Sequence, residues 1–211
     1  MTAFITHCLK NARLDLLGLL ACCCLWVGWS GTALADAPVT EISKLRFERQ
    51  ADAVLLSASA TFELPDAVED ALQKGVALIF VAEADVFRER WYWTNKRVAH
   101  AERHMRLAFQ PLTRRWRVNA ASGHINANGM GVALNQNFET LAEALAVVQR
   151  LSRWKIADMA ELEAGQNHFV EFRFRLDVSQ LPRPLQIGTL GQSDWTIEGV
   201  VSQPLVFEGA K

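Results

Sequence analysis

VEFRFRLDV, residues 170–178, sets apolar and charged side chains in strict alternation. Val170, Phe172, Phe174, Leu176 and Val178 hold one parity, and Glu171, Arg173, Arg175 and Asp177 hold the other. A β-strand turns successive side chains to opposite faces, so this segment, read from His168 on, is a strand with one dry side and one wet side. Strands of that kind belong to antiparallel sheets packed on a core through one face. Residues 54–64 repeat the pattern, with Val54, Leu56, Ala58, Ala60, Phe62 and Leu64 alternating against Ser57, Ser59, Thr61 and Glu63.

Working outward from these two strands, the sequence predicts two helices. Asp66-Ala67-Val68-Glu69 follows Pro65 and offers an acceptor at the N-cap with a glutamate three positions later, and Gly75 supplies the stop. Thr140-Leu141-Ala142-Glu143 is a second capping box, and the stripe Leu141, Leu145, Val148 and Leu151, preceded by Phe138, predicts a helix to about Ser152 that covers a sheet. Between the helices, residues 76–93 and 98–109 read as a long hairpin turning at 94–97, followed by a strand over 114–120 and a loop over 123–131 with Asn128-Gly129 as its turn. Even positions from Val76 to Val86 are apolar, whereas Phe87, Trp91 and Trp93 are odd; this switch of face in mid-strand predicts a bulge or a strong bend near residues 86–88. Leu181-Pro182-Arg183-Pro184-Leu185 is expected to be an extended connector, and the chain to close with a strand near 195–202 and a short piece at 205–207. The expected fold is mainly β with two helices (α+β), a two-layer antiparallel β-sandwich with a helix packed on one side.

The first 35 residues read differently. Lys10 and Arg13 precede a largely apolar run over 14–29, and Ala33-Leu34-Ala35 has the small residues that a signal peptidase requires, so residues 1–35 are expected to be a signal peptide and 36–211 a single β-rich domain. Leu19-Leu20-Ala21-Cys22 resembles a lipobox, and an uncleaved signal would serve as an anchor; both are alternatives to cleavage after Ala35. The expected location is periplasmic or exported, with anchoring through an uncleaved signal as the variant. All four cysteines, Cys8, Cys22, Cys23 and Cys24, fall in this segment, which excludes disulfides, cysteine–metal sites and cysteine nucleophiles from the domain. Without Lys10, Arg13 and Asp15 the chain keeps 20 basic and 22 acidic residues, and this balance speaks against nucleic acid as a partner.

The densest chemistry lies in RERWYWTNKRVAHAERHMRL, residues 88–107. His100 and His104 flank Glu102, but the order H-A-E-R-H places the glutamate one position later than a zinc protease needs. Alternation of Ala99, Ala101, Met105, Leu107 and Phe109 with His100, Glu102, His104 and Arg106 indicates a strand, with a single break at Arg103. Positions four apart on a strand are separated by ~13 Å, too far for both histidines to bind one zinc. His100 and Glu102 are therefore weak metal candidates only, no metal or other cofactor is expected, and the histidines are expected to be solvated. Glu83 and Asp85 are two apart on one strand face, a weak candidate for a carboxylate pair. No G-x-S-x-G occurs, and Gly129-Met130-Gly131 lacks the context of a nucleotide loop. Trp91 and Trp93 are expected either to close the core, the favoured reading, or to form an aromatic platform.

The order of motifs adds a resemblance. LPDAVEDALQKGVAL, RERWYW, RLAFQPLTRRWRV, FETLAEAL and LPRPL followed by DWTIEG, behind a signal segment, resemble the domain of unknown function 4390 family of exported proteobacterial proteins. The resemblance covers nearly all of the domain, and Met105 departs from the aromatic that similar proteins more often carry. It brings no catalytic residues, because the family has no established activity. It implies envelope proteins encoded close to a membrane sensor kinase of the nitrogen-regulation type. The expected function is a non-enzymatic periplasmic binding or accessory module associated with a membrane sensor kinase, its partner being an envelope or inner-membrane protein such as a sensor histidine kinase, or a membrane surface. Arg88, Arg90, Trp91, Trp93, Arg114, Arg115 and Trp116 are the expected contact residues, since arginine and tryptophan are enriched where surfaces bind. The alternatives are a small-molecule or lipid carrier and a metal-dependent hydrolase using His100, Glu102 and either His124 or His168.

Overall fold

In the computed structural model, which describes residues 40–92, 94–122, 134–189 and 195–207, the strands form two antiparallel sheets. The chain divides into two units, Met1–Asp36 and Ala37–Lys211, and every described residue belongs to the second. The expected signal peptide, with its cleavage, lipidation and anchoring alternatives, lies outside the described residues, as do Trp93, His124 and the turn expected at Asn128-Gly129.

The described chain runs β1 (Glu41–Gln50), β2 (Ala53–Thr61), α1 (Asp66–Gln73), β3 (Leu78–Arg88), β4 (Lys96–Gln110), β5 (Arg115–Ser122), β6 (Leu134–Phe138), α2 (Leu141–Val148), β7 (Arg150–Asp158), β8 (His168–Leu176), α3 (Arg183–Thr189) and β9 (Glu198–Pro204), with short 3-10 turns at Met159–Glu161 and Val178–Gln180. β3 to β6 form a meander, and β8 and β9 add to its other side, giving a six-stranded sheet in the order β6-β5-β4-β3-β8-β9. β1, β2 and β7 form a three-stranded sheet in that order. The architecture is the expected α+β sandwich.

The inner faces are those the alternation predicts. Val170, Phe172, Phe174 and Leu176 from β8, Phe80, Ala82, Ala84 and Val86 from β3, and Val54, Leu56, Ala58 and Ala60 from β2 share one buried cluster. At its centre Phe62, Phe80 and Phe174 stack with ring centroids 5.4 to 5.8 Å apart. Each such ring contributes roughly 2–3 kcal/mol by leaving water. Gly199 marks the place where β9 passes the start of β1, because a Cβ there would lie 3.0 Å from the Thr40 carbonyl oxygen.

Bulges explain the elements that the sequence hides. In β1, Ile42 faces Ala60 and Phe47 faces Leu56, so five positions on one strand match four on the other; the extra residue lies between Ser43 and Arg46, where Lys44 adopts φ 54°. In β7, Leu151 faces Ala58 and Trp154 faces Leu56, three positions against two, and Arg153 takes φ 47° while its N–H donates to Ser57 Oγ at 3.0 Å. A spacing of three in a strand mimics a helix. Leu151 reads as the last member of the α2 stripe because it falls three positions after Val148, but α2 ends at Val148 and β7 begins at Arg150. The switch of face expected in β3 at residues 86–88 does not occur; the irregularity there lies in the partner strand, where Val86 faces Ala99 and Phe87 faces Arg97, which leaves Val98 over. β3 itself keeps its alternation, and Phe87 lies on the outer face against Phe169, centroids 5.2 Å apart.

The helix ends bring two further corrections. Asp66 does not cap α1; the N-cap is Pro65, whose carbonyl accepts from the N–H groups of Val68 and Glu69 at 2.9 and 3.1 Å. Gly75 ends the helix as expected, at φ 85°. The segment 181–185 is not an extended connector, because Arg183 begins α3 and the Pro182 carbonyl accepts from Leu185 N at 2.9 Å. Pro184 falls in the first helical turn, where a missing N–H costs nothing. In α2 the expected cap is present, with Thr140 Oγ1 accepting from Glu143 N at 3.2 Å.

Candidate functional site

The candidate contact residues lie at opposite ends of the six-stranded sheet. β4 extends over 15 residues, which at ~3.3 Å per residue is roughly 45 Å. Arg88, Arg90 and Trp91 stand at the end where β3 turns into β4, and Arg114, Arg115 and Trp116 at the end where β4 turns into β5. They form two separate groups rather than one cluster, because the hairpin that makes 88–91 and 114–116 neighbours in a motif list is a full-length pair of strands. Trp116 is buried and packs on Phe109, centroids 4.8 Å apart, so it belongs to the core. Arg114 occupies the turn at φ 50°, and Arg115 is exposed beside it.

The β3–β4 tip is the more distinctive group. Trp91 is 93% exposed and Tyr92 68% exposed, their rings edge to face at 4.9 Å. This overturns the core reading of Trp91: β3 keeps its phase to its end at Arg88, with Phe87 on the outer face, so no switch of face turns the odd positions inward. The tip is nonetheless held in place. Glu89 N donates to the Asn167 carbonyl at 3.0 Å, Arg90 N donates to Asn95 Oδ1 at 3.4 Å, and Arg88 forms an ion pair with Glu163. A cavity of about 450 Å³ opens between Arg90, Trp91 and Asn95 on one side and Gly165-Gln166-Asn167 on the other. A second concavity of about 700 Å³ adjoins it through Glu89, Gln166 and Asn167 and reaches Met159, Leu162 and Phe207.

The outer face of the large sheet carries the histidines and paired carboxylates. Register places Glu83 opposite Glu102, and Asp85 opposite Glu171, pairs that would repel if each faced its neighbour directly. Each carboxylate instead binds a base: Glu83 accepts from Arg175 at 2.9 and 3.2 Å, Glu171 from Arg173 at 3.3 Å, Asp85 from Arg97 at 3.3 Å, and Asp85 lies 2.8 Å from His100 Nδ1. Glu102 Oε1 lies 2.6 Å from His104 Nε2. Glu83 and Asp85 are therefore occupied as ion-pair partners. The histidines share one face as the strand reading requires, but His104 is buried rather than solvated, set between Val81 and Ala121 on the flanking strands. Among the described residues no group of three or more His, Cys, Asp or Glu side chains is placed to hold a metal. His168, the other described histidine of the hydrolase reading, begins β8 opposite Arg88, whereas His100 faces Asp85 from the strand on the other side of β3.

One residue of interest escaped the motif reading although its signal was present. Arg103, the break in the β4 alternation, occupies an inward position opposite Ala82, and its Nε is buried without a hydrogen-bond partner. Burial pushes its guanidinium below the usual arginine range.

Among the described residues no helix is long and apolar enough to cross a membrane. No curated protein and no solved structure matches the chain. A family model described as Domain of unknown function (DUF4390) matches residues 37–203, and since this is most of the chain, the protein belongs to that family.

Proposed function

We propose that the protein is a non-enzymatic periplasmic binding or accessory module that docks on an envelope protein through the β3–β4 tip. The observation that carries this reading is the exposure of Trp91 and Tyr92 on a tip whose backbone is already fixed by the Glu89–Asn167 hydrogen bond. Aromatic side chains each bring ~150–250 Å² to an interface, and a tip ordered in advance loses little entropy on binding. Arg90 supplies a charge at the rim, and the neighbouring cavities can take side chains from the partner. The ion pairing of the outer-face carboxylates favours binding over hydrolysis, because a general acid or base must be free to exchange a proton with substrate. A membrane sensor kinase is the partner class that the family resemblance suggests.

The test places a photo-reactive amino acid at Trp91 in the full chain in intact cells, with the same probe at Leu112, a fully exposed residue at the opposite end of the sheet. A single inner-membrane protein captured from position 91 and not from 112 is the expected result. Trp91→Ala combined with Tyr92→Ala should abolish that capture while changing stability by no more than about 0.5 kcal/mol. Capture from 112 alone would move the docking surface to the Arg114–Arg115 end, and capture from neither would refute the accessory role.

A further inference from the structure

The two sheets differ in width by three strands, so the small sheet cannot cover the whole inner face of the large one. α2 packs over part of the overhang formed by β4, β5 and β6. Between α2, β7 and the overhang a cavity of about 240 Å³ remains. Met105, Val118 and Ala120 form its floor, and Val147 and Leu134 its apolar sides. Arg103, Arg150, Gln136 and Ser152 supply its polar groups, and among the described residues no acidic one lines it. The sequence joining β5 to β6, residues 123–133, contains no aspartate or glutamate either.

Arg103 is the anomaly. An arginine stays charged inside a protein, and Arg103 is half-buried with its Nε shut off from water and without a partner, which leaves a polar N–H unsatisfied at the cavity wall. Arg173 and Arg175 on the outer face of β8 each meet a carboxylate, whereas the Arg103 side chain meets none among the described residues and its Nε has no partner. Its Cβ direction is fixed by the register with Ala82, so the side chain cannot reach the carboxylates of the outer face without crossing the sheet.

We propose that this cavity binds a small monocarboxylate with a short apolar tail, the carboxylate meeting Arg103 and the tail lying on Met105, Val118 and Val147. A guanidinium presents two parallel N–H groups that match a carboxylate, and such a charge-assisted pair supplies the partner that Arg103 lacks. The exposed Arg150 adds attraction at the mouth. The mostly apolar remainder of the lining favours a carboxylate carrying a tail over a bare phosphate dianion. At ~30 Å³ per water the cavity holds about eight waters, the size of a ligand with roughly eight non-hydrogen atoms. This site is independent of the docking tip, since Arg103 lies in the middle of β4 and the tip at its start.

Hexanoate is the probe, titrated by calorimetry into the full chain as the cell processes and delivers it, with hexanamide and inorganic phosphate as comparisons. The expected result is saturable one-to-one binding of hexanoate, with hexanamide roughly ten- to a hundredfold weaker, as the loss of one charged hydrogen-bonded pair implies. Arg103→Gln should weaken hexanoate by the same factor with the melting temperature little changed, because it replaces a half-buried side chain that meets no carboxylate among the described residues. Gln136→Trp, at an exposed position on β6 that lines the mouth, should block binding with Arg103 still present. Absence of saturable hexanoate binding, equal binding of hexanamide, displacement by phosphate at equal concentration, or full binding by either variant would each overturn the proposal.

Discussion

At the scale of single residues, burial decides which polar contacts matter. His104 and Lys155 both touch a carboxylate at short range, 2.6 Å to Glu102 and 2.7 Å to Asp158. The His104 side chain is only 5% exposed, however, while Lys155 and Asp158 are each more than half exposed. Water competes with the second pair and salt screens it, so its net contribution is small. His104→Ala is expected to lower stability by about 1–3 kcal/mol, because it opens a space beside Val81 and leaves Glu102 without its partner. Lys155→Ala should stay within about 0.5 kcal/mol of the parent. Urea denaturation of both variants measures the contrast, and equal effects would show that the depth of His104 in the sheet is immaterial.

At the scale of elements, the two helices test whether a capping motif in sequence is a cap in space. Thr140 Oγ1 accepts from Glu143 N at 3.2 Å, and Glu143 Oε2 in turn accepts from Glu139 N at 3.3 Å, one residue ahead of the position that a reciprocal box would use. Asp66 has the same sequence context but sits inside the helix, after a proline that holds the cap position. Thr140→Ala is therefore expected to cost about 1 kcal/mol. Asp66→Ala should cost no more than a few tenths, the part due to its charge near the positive end of the helix. Thermal unfolding of the two variants distinguishes them, and an equal loss would mean that Asp66 caps after all. The same scale explains the misread boundary at residues 149–152. Leu151 follows Val148 at a helical spacing, and the backbone resolves the ambiguity by pairing Leu151 with Ala58 in the sheet.

At the scale of the whole molecule, stability rests on the aromatic stack that ties β3 and β8 to the chain leaving β2. Phe80 has no exposure and contacts both Phe62 and Phe174. Phe80→Ala should cost about 3–5 kcal/mol, a large fraction of the ~5–15 kcal/mol that a domain normally has. Chemical denaturation followed by tryptophan fluorescence measures it; a loss below about 1 kcal/mol would mean that the stack is not central. The unequal widths of the sheets also belong to this scale. They leave the overhang that α2 partly covers and the cavity in which Arg103 is isolated.

The sequence by itself determined the β class, the two-sided strands β2, β3, β4 and β8, the existence of α1 and α2, and the shared face of His100 and His104, because each follows from a local period or a local breaker. It also marked Arg103 as a break in pattern without saying what the break meant. Only the tertiary structure decided the rest. Bulges in β1 and β7 are defined by a partner strand, so their phase shifts cannot be seen in one strand alone. The length of β4 set Arg88, Arg90 and Trp91 apart from Arg114 and Arg115, and the end of β3 left Trp91 in solvent. Whether an arginine on an inner face is paired depends on which element covers it, and that is fixed by how the two sheets and α2 pack together.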